Sequence, residues 1–221
     1  PMLLKSNYKN GIGLFGGTFD PVHIGHIRTA TELKEKFNLR EMRMILCARP
    51  PHRPPPMSDI QDRKKMLSLA INEEADQDLI IDLLECERDG PSFTLDTVLE
   101  IRNKIGAQIS MCLCLGMDSF LSINAWNGWK DLLSMTHIVV TKRPGWDEPK
   151  IGELYEFIRI HQSSRIQDFH DAPFGKIFFT EMTPIDISST AIRKAINEKN
   201  SVCKLLANNV TRYIKNNKLY R

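Results

Sequence analysis

The chain has 221 residues, 42% hydrophobic and 26% charged, with a formal net charge of +3. That is enough apolar content for a buried core, which excludes a disordered chain, and too little charge to demand a nucleic-acid partner. The five cysteines, at 47, 86, 112, 114 and 203, form no CxxC pair or Cys/His quartet; no stretch approaches the length of a membrane span, and no signal peptide stands at the start. A reducing cytoplasm, with neither membrane nor nucleic acid as partner, is the expectation.

In chain order, short apolar runs alternate with amphipathic segments. "GIGLF" (11–15) predicts a first strand, and "IRTATELKEKF" (27–37) a helix with Ile27, Ala30, Leu33 and Phe37 at helical spacing. "MRMILCA" (42–48) predicts a second strand; the proline-rich loop 49–56 follows, then a helix over 59–72. "DLIIDLL" (78–84) is a third strand, "SFTLDTVLEIRNKI" (92–105) a helix capped near Ser92 or Thr94, and "QISMCLCLG" (108–116) a fourth strand with Cys112 and Cys114 buried on one face. Strands at 137–145 and 176–182 come next, and the chain ends in helices. Segment 146–175 is the least readable; His161 and His170 within it are expected as surface or loop residues.

Continuous apolar strands separated by helices predict a doubly wound, Rossmann-like α/β fold: a parallel sheet covered by helices on both faces. One domain over 1–221 is expected, with a C-terminal helical segment from about 186 packed on it. The basic residues of that segment, among them Lys204, Arg212, Lys215 and Lys218, are expected to form a solvated face.

"GLFGGTFDPVHIGH" (13–26) falls where strand one hands over to a helix. Ligands of open parallel sheets bind beyond the carboxyl ends of the strands. Glycines at Gly16 and Gly17 admit positive φ and close approach, Pro21 fixes the turn, and a helix start near 22–24 offers N–H groups to an anion. His23 and His26, three apart, share a face. The run is therefore expected to hold a phosphate chain, with Asp20 serving either the turn or a metal. Gly11, Gly13 and Gly16 match GxGxxG, but inside the strand and without the acidic residue that fingerprint requires; no P-loop motif occurs, and nothing supports a zinc reading of the histidine pair. A second anion site is expected at "DISSTAIRKAI" (186–196), where Ser188, Ser189 and Thr190 open a helix with Arg193 on its first turn.

"GGTFDPVHIGH" with "ISSTAIR" resembles the nucleotidyltransferase superfamily that carries the His-x-Gly-His motif. "RPPHR" (49–53), "ERDGPSFTLDTV" (87–98), "LGMDSFLSINAWNGW" (115–129) and "VVTKRPG" (139–145) extend the resemblance, in order, to the bacterial nicotinate-nucleotide adenylyltransferases. Each motif is modest alone; the ordered set is specific. Two positions depart from that family, Arg53 where it usually has lysine and Phe93 where it usually has tyrosine.

The resemblance implies adenylyl transfer from ATP to nicotinate mononucleotide, giving nicotinate adenine dinucleotide and pyrophosphate in NAD synthesis, with Mg²⁺ riding on the triphosphate. It implies that Gly16, Gly17, Thr18, Phe19 and Asp118 line the ATP site; that His23 and His26 contact the phosphates; and that Ser189, Thr190 and Arg193 hold the leaving pyrophosphate. Arg53, Phe93, Thr94, Trp126 and Arg143 then serve nicotinate mononucleotide, with Trp126 as a ring platform and Trp129 in the core. The alternatives are a superfamily relative acting on nicotinamide mononucleotide or pantetheine phosphate, and a non-catalytic nucleotide sensor.

Overall fold

The computed structural model describes residues 11–51, 54–74, 79–142, 145 and 147–221. Six strands, β1 (Ile12–Gly17), β2 (Glu41–Leu46), β3 (Leu79–Asp82), β4 (Met111–Gly116), β5 (His137–Lys142) and β6 (Ile177–Glu181), form one sheet in the order β3-β2-β1-β4-β5-β6. Every pairing is parallel. The order reverses between β1 and β4, so their connections leave on opposite faces and a crevice opens beyond their carboxyl ends.

Both faces of the central strands are buried, which is why β1 and β4 read as nearly continuous apolar runs. On one face Met42, Met44, Leu46, Cys112, Cys114 and Val139 pack in a core cluster with residues of α1 (Ile24–Lys36), α2 (Ile60–Glu74), α8 (Ser189–Asn197) and α9 (Asn208–Asn216). On the other face Leu14, Leu113, Leu115 and Val140 pack with residues of α4 (Thr94–Ile105), α5 (Met117–Leu121), the 3₁₀ turn Trp129–Ser134 and α6 (Glu153–His161). The Cys112/Cys114 expectation follows from this alternation: both thiols lie on one face, fully buried or nearly so, and neither is in a disulfide.

Several expected elements shift. β1 runs two residues past Phe15, into both glycines. Two short helices, α3 (Leu84–Glu87) and α7 (Ile166–Asp171), and α6 were not resolved by hydrophobic periodicity, which needs more turns than these provide. The cap of α4 is Phe93, with no side-chain hydrogen bond, rather than Ser92 or Thr94. Ser92 instead pairs with Arg49 through main chain and hydroxyl, tying the loop after β2 to the start of α4. The terminal helix is shorter than its sequence suggests, and its start is capped from another element: both carboxylate oxygens of Glu73 accept from the Asn208 and Asn209 amides at 2.8 Å. No helix of the described residues is long and apolar enough to cross a membrane.

The end of the sheet away from the crevice is sealed by two buried cationic-type groups. Arg102 donates to the carbonyls of Gly106, Ile109, Met135 and Pro173. His137, fully buried, donates through Nε2 to the Ala172 carbonyl at 2.8 Å and accepts the Lys176 amide on Nδ1 at 3.1 Å, which requires a neutral ring. Burial first lowers its pKa from 6.5 to about 4. A depressed histidine contributes stability that is present above its unfolded value and is lost as pH falls from there toward the folded one. The loss amounts to about 3 kcal/mol at most. Denaturation midpoints of the wild type should thus drop between about pH 7 and about pH 4.5. The His137→Asn variant, less stable at neutral pH, should show a shallower drop; equal slopes would show that the imidazole is not the source.

Candidate active site

At the crevice β1 delivers Gly16 and Gly17 to the carboxyl edge, and a tight turn leads to α1. The conformational role expected of the glycines falls elsewhere. Both glycines are extended, and the left-handed residue is Phe19, with φ 49°. Its ring is 1% exposed and lies over Gly17, where an added Cβ would come within 2.7 Å of it. Phe19 therefore belongs to the core under the turn rather than to the lining of a ligand site. Gly16 meets nothing within 4 Å at that position, so its backbone is what faces the crevice.

His23 caps α1. Its Nδ1 accepts the His26 amide at 3.3 Å, while the Nδ1 of His26 accepts the His23 amide at 3.2 Å. Both rings thus carry their proton on Nε2, the edge turned away from their own backbone. They stack with centroids 3.6 Å apart, and Phe19 braces His26 edge-on at 5.1 Å. The histidines fill the capping-box role usually taken by Ser and Glu.

Asp20, 4% exposed, is the junction of this region. Its carboxylate accepts the Met57 amide at 2.7 Å, the Ser58 amide at 3.2 Å and the Tyr220 hydroxyl at 2.7 Å. Its carbonyl accepts Nη1 of Arg193 at 2.6 Å. With these donors in place the carboxylate ties the turn to the loop before α2 and to the C-terminal Tyr220, a long-range role that differs from the local turn expected of it. Arg63, also buried, joins the neighbouring loop ends by donating to the carbonyls of Thr18 and Cys47 at 2.9 and 2.6 Å.

The second motif docks on the first. Ser188 caps α8 by accepting the Ala191 amide; the Ser189 hydroxyl donates to the Pro21 carbonyl at 2.9 Å; Thr190 accepts from Nη2 of Arg193. Arg193 stands on the second turn of α8, not the first. The Ser189 and Thr190 hydroxyls expected to meet a ligand, like the capping hydroxyl of Ser188, are therefore engaged with the chain. What α8 presents to the crevice is its N-terminal backbone and the remaining N–H groups of one guanidinium, 24% exposed.

On the other side of Gly16–Thr18 lies a cavity of about 290 Å³. Phe93, Thr94, Trp126 and Asn127 line it at one side, and Ile45, Val98, Leu113 and Leu115 form apolar walls. α4 begins at its edge, and with no side-chain cap its first-turn amides are directed there. Trp129 is core, edge-on to Phe157 at 4.7 Å, whereas Trp126 is half-buried at the cavity. Asp118 is exposed at the end of β4, its carboxylate over Gly116 and outside this cavity. Arg53 and Arg143 lie outside the described residues.

Glu85 is a cavity residue that the sequence did not single out. It sits in "LLECERDG", a charged stretch that reads as surface, yet it is 7% exposed. Its Oε1 accepts the Thr97 hydroxyl at 2.9 Å, and its buried Oε2 has no hydrogen-bond partner among the described residues. Beside it the Cys47 thiol is pushed up to about 12, by burial first and by Glu85 next, so it stays protonated.

A crevice at the strand-order switch, flanked by two helix N-termini and a pair of Nε2-protonated histidines, defines a nucleotide-binding site of nucleotidyltransferase type. The sequence model of the Cytidylyltransferase-like family matches residues 14–195. A "Probable nicotinate-nucleotide adenylyltransferase" of Marinomonas sp. (strain MWYL1) is 38% identical over all of both chains. Another of that name, from Methylococcus capsulatus, is 41% identical over 95% of this chain and 99% of its own. Among solved structures, a Plasmodium falciparum nicotinic acid mononucleotide adenylyltransferase complexed with NaAD shares the fold, with a TM-score of 0.73 at 17% identity over 96% of this chain and 97% of that one. The chain belongs to the cytidylyltransferase-like family and, within it, to the nicotinate-nucleotide adenylyltransferases.

Asp20 and Tyr220, 200 positions apart, should behave as one unit. Asp20→Ala should cost about 2–4 kcal/mol and Tyr220→Phe about 1–2 kcal/mol, since each leaves buried partners unpaired. In a double-mutant cycle of urea unfolding their effects should fall short of additivity by about 1–2 kcal/mol. Additive losses would mean the hydroxyl does not report on the carboxylate.

Proposed function

We propose that the protein transfers the adenylyl group of ATP to nicotinate mononucleotide, forming nicotinate adenine dinucleotide and pyrophosphate, a step of NAD biosynthesis. The observation that carries this reading is the adjacency of two unlike half-sites at the β1/β4 switch. One is polar and built from helix N-termini, histidines and Arg193; the other is an apolar cavity with Trp126 at its wall.

A phosphate oxygen of the mononucleotide attacks the α-phosphorus of ATP. The bond from that phosphorus to the bridging oxygen breaks, and pyrophosphate leaves with the electron pair. The attacking phosphate monoester, with a second pKa of about 6, is already largely ionised at neutral pH, so no general base is required. The chain's part is to align the reactants and to stabilise charge as it shifts toward the leaving group.

In this reading His26 and His23 donate from Nε2 to the triphosphate, His26 nearest the α-phosphate, while the first-turn amides of α1 supply a positive dipole. Arg193 and the N-terminal amides of α8, Ser189 and Thr190 among them, hold the pyrophosphate end. Asp118 and the backbone of Gly16, Gly17 and Thr18 meet the adenosine side. In the cavity Trp126 stacks on the pyridine ring, and the amides of Thr94 and its neighbours receive the nicotinate carboxylate; Phe93's own amide is already donated to the Pro91 carbonyl. Arg53 and Arg143 are proposed on the same side from the sequence alone. Among the described residues no three His, Cys, Asp or Glu side chains gather into a metal-holding group. Magnesium is proposed as the counter-ion that ATP brings with it.

The test is pyrophosphate release with ATP and each of nicotinate mononucleotide, nicotinamide mononucleotide and phosphopantetheine. The first should be the best substrate; a clear preference for another would replace the acceptor, and no release with any would favour a nucleotide sensor. In the same assay His26→Ala should lower kcat by about 10²–10³ with a much smaller change in KM for ATP. A near-normal kcat would remove the histidine from the reaction.

A further inference from the structure

Glu85 stands out in the cavity for what it lacks. Its side chain is more than nine-tenths buried, no ion pair among the described residues includes it, and beyond the Thr97 hydroxyl on Oε1 the donor beside it is the weak, uncharged Cys47 thiol, so its charge is left uncompensated among those residues. Arg88 reaches the same Thr97 hydroxyl, at 3.1 Å, but pairs with Glu100 rather than with Glu85. Buried polar groups are almost always satisfied, and an exception calls for an explanation, above all for a carboxylate.

The surroundings narrow that explanation. Because Oε2 is itself buried, a hydroxyl of the ligand has no clear path to it, so Glu85 acts by charge rather than by a direct hydrogen bond. Ile45, Val98, Leu113 and Leu115 form part of the cavity wall, beside the uncharged polar Ser92, Thr94, Ser119 and Asn127, so among the described lining residues Glu85 is the charged one and its field is felt across the space. Trp126 lines the same cavity, and its π-face also favours a cation. A negative charge and an indole face bordering one apolar space make a receptor for a flat cation.

The acceptor proposed above carries such a group. Its pyridine nitrogen bears the ribose, so the ring is a pyridinium. We infer that Glu85 is the counter-ion of the pyridinium ring in the acceptor site, and that together with Trp126 it selects N-ribosylated pyridines by their ring charge. The inference rests on the proposed acceptor. It separates two recognition elements: the first-turn amides of α4 meet the ring's carboxylate substituent, and Glu85 answers the charge of the ring itself.

The experiment compares two acceptors that differ in that charge, nicotinate mononucleotide and its reduced dihydropyridine form, using wild type and Glu85→Gln. Glutamine keeps the shape and an oxygen for the Thr97 hydroxyl while removing the charge. Wild type should favour the cationic ring, and Glu85→Gln should reduce that preference, measured as the ratio of kcat/KM values, by about 10- to 100-fold. The loss should come mainly from a raised KM for the cationic acceptor, with KM for ATP little changed. The ratio is taken within one preparation, so a partly folded variant does not distort it. If wild type is active on nicotinate mononucleotide and the variant keeps the wild-type preference, or loses both acceptors equally, the counter-ion role is wrong while the proposed reaction stands. If wild type releases no pyrophosphate with nicotinate mononucleotide, both readings fall together.

Discussion

The Asp20 carboxylate holds the crevice in shape. It takes its hydrogen bonds from two places far apart in sequence, the loop before α2 and the C-terminal Tyr220, while the carbonyl of the same residue accepts Arg193 of α8. Hydrogen bonds to a charged acceptor contribute about 1.5–3 kcal/mol each. Their larger consequence here is geometric. The N-termini of α1 and α8 attract anions only while they point at the same place, and Asp20 with the Ser189–Pro21 bond fixes one against the other. Arg63 does the same for the loops after β1 and β2, so the polar half-site and the cavity share a boundary at Thr18 and Cys47.

Around that frame the two halves of the crevice solve different problems. A triphosphate is recognised by many weak donors on rigid backbone, which helix starts provide without placing a lysine cluster in the site. In the proposed reading an aromatic cation needs an apolar slot, a π-face and a compensating charge, drawn from the segment after α5, the start of α4 and the short helix α3 that follows β3. Joining the halves at the strand-order reversal brings a nucleophilic phosphate and an activated phosphate into line, and much of the rate advantage of such a reaction comes from that alignment.

The parallel sheet was legible because burial of both faces leaves largely apolar runs at β1 and β4 and in the middle of β5, while β2 is interrupted by Arg43. The two motifs were legible because a glycine-rich turn stands at a strand end where ligands of parallel sheets bind, and because more hydroxyls than one cap needs open a helix together with Arg193. The roles within them were less so. Gly16 and Gly17 suggested positive φ, but the strand continues through them, and Phe19 takes the left-handed conformation with its ring in the core. Ser189 and Thr190 read as ligand contacts; in the fold the Ser189 hydroxyl ties α8 to Pro21, and the Thr190 hydroxyl meets Arg193 within the same helix. Asp20, Arg63, Tyr220 and Glu85 carried no signal of their true weight, because a charged or phenolic residue in sequence looks solvated until tertiary structure buries it. The short helices α3, α6 and α7 were too brief to show a period.

The division of the crevice is tested most directly by intrinsic tryptophan fluorescence during titration with nicotinate mononucleotide, whose pyridinium ring should quench an indole that stacks on it. Saturable quenching is expected in wild type and in a Trp129→Phe variant, and its loss in Trp126→Phe. Quenching that survives in Trp126→Phe would place the pyridine ring elsewhere and contradict the assignment of the cavity to the acceptor.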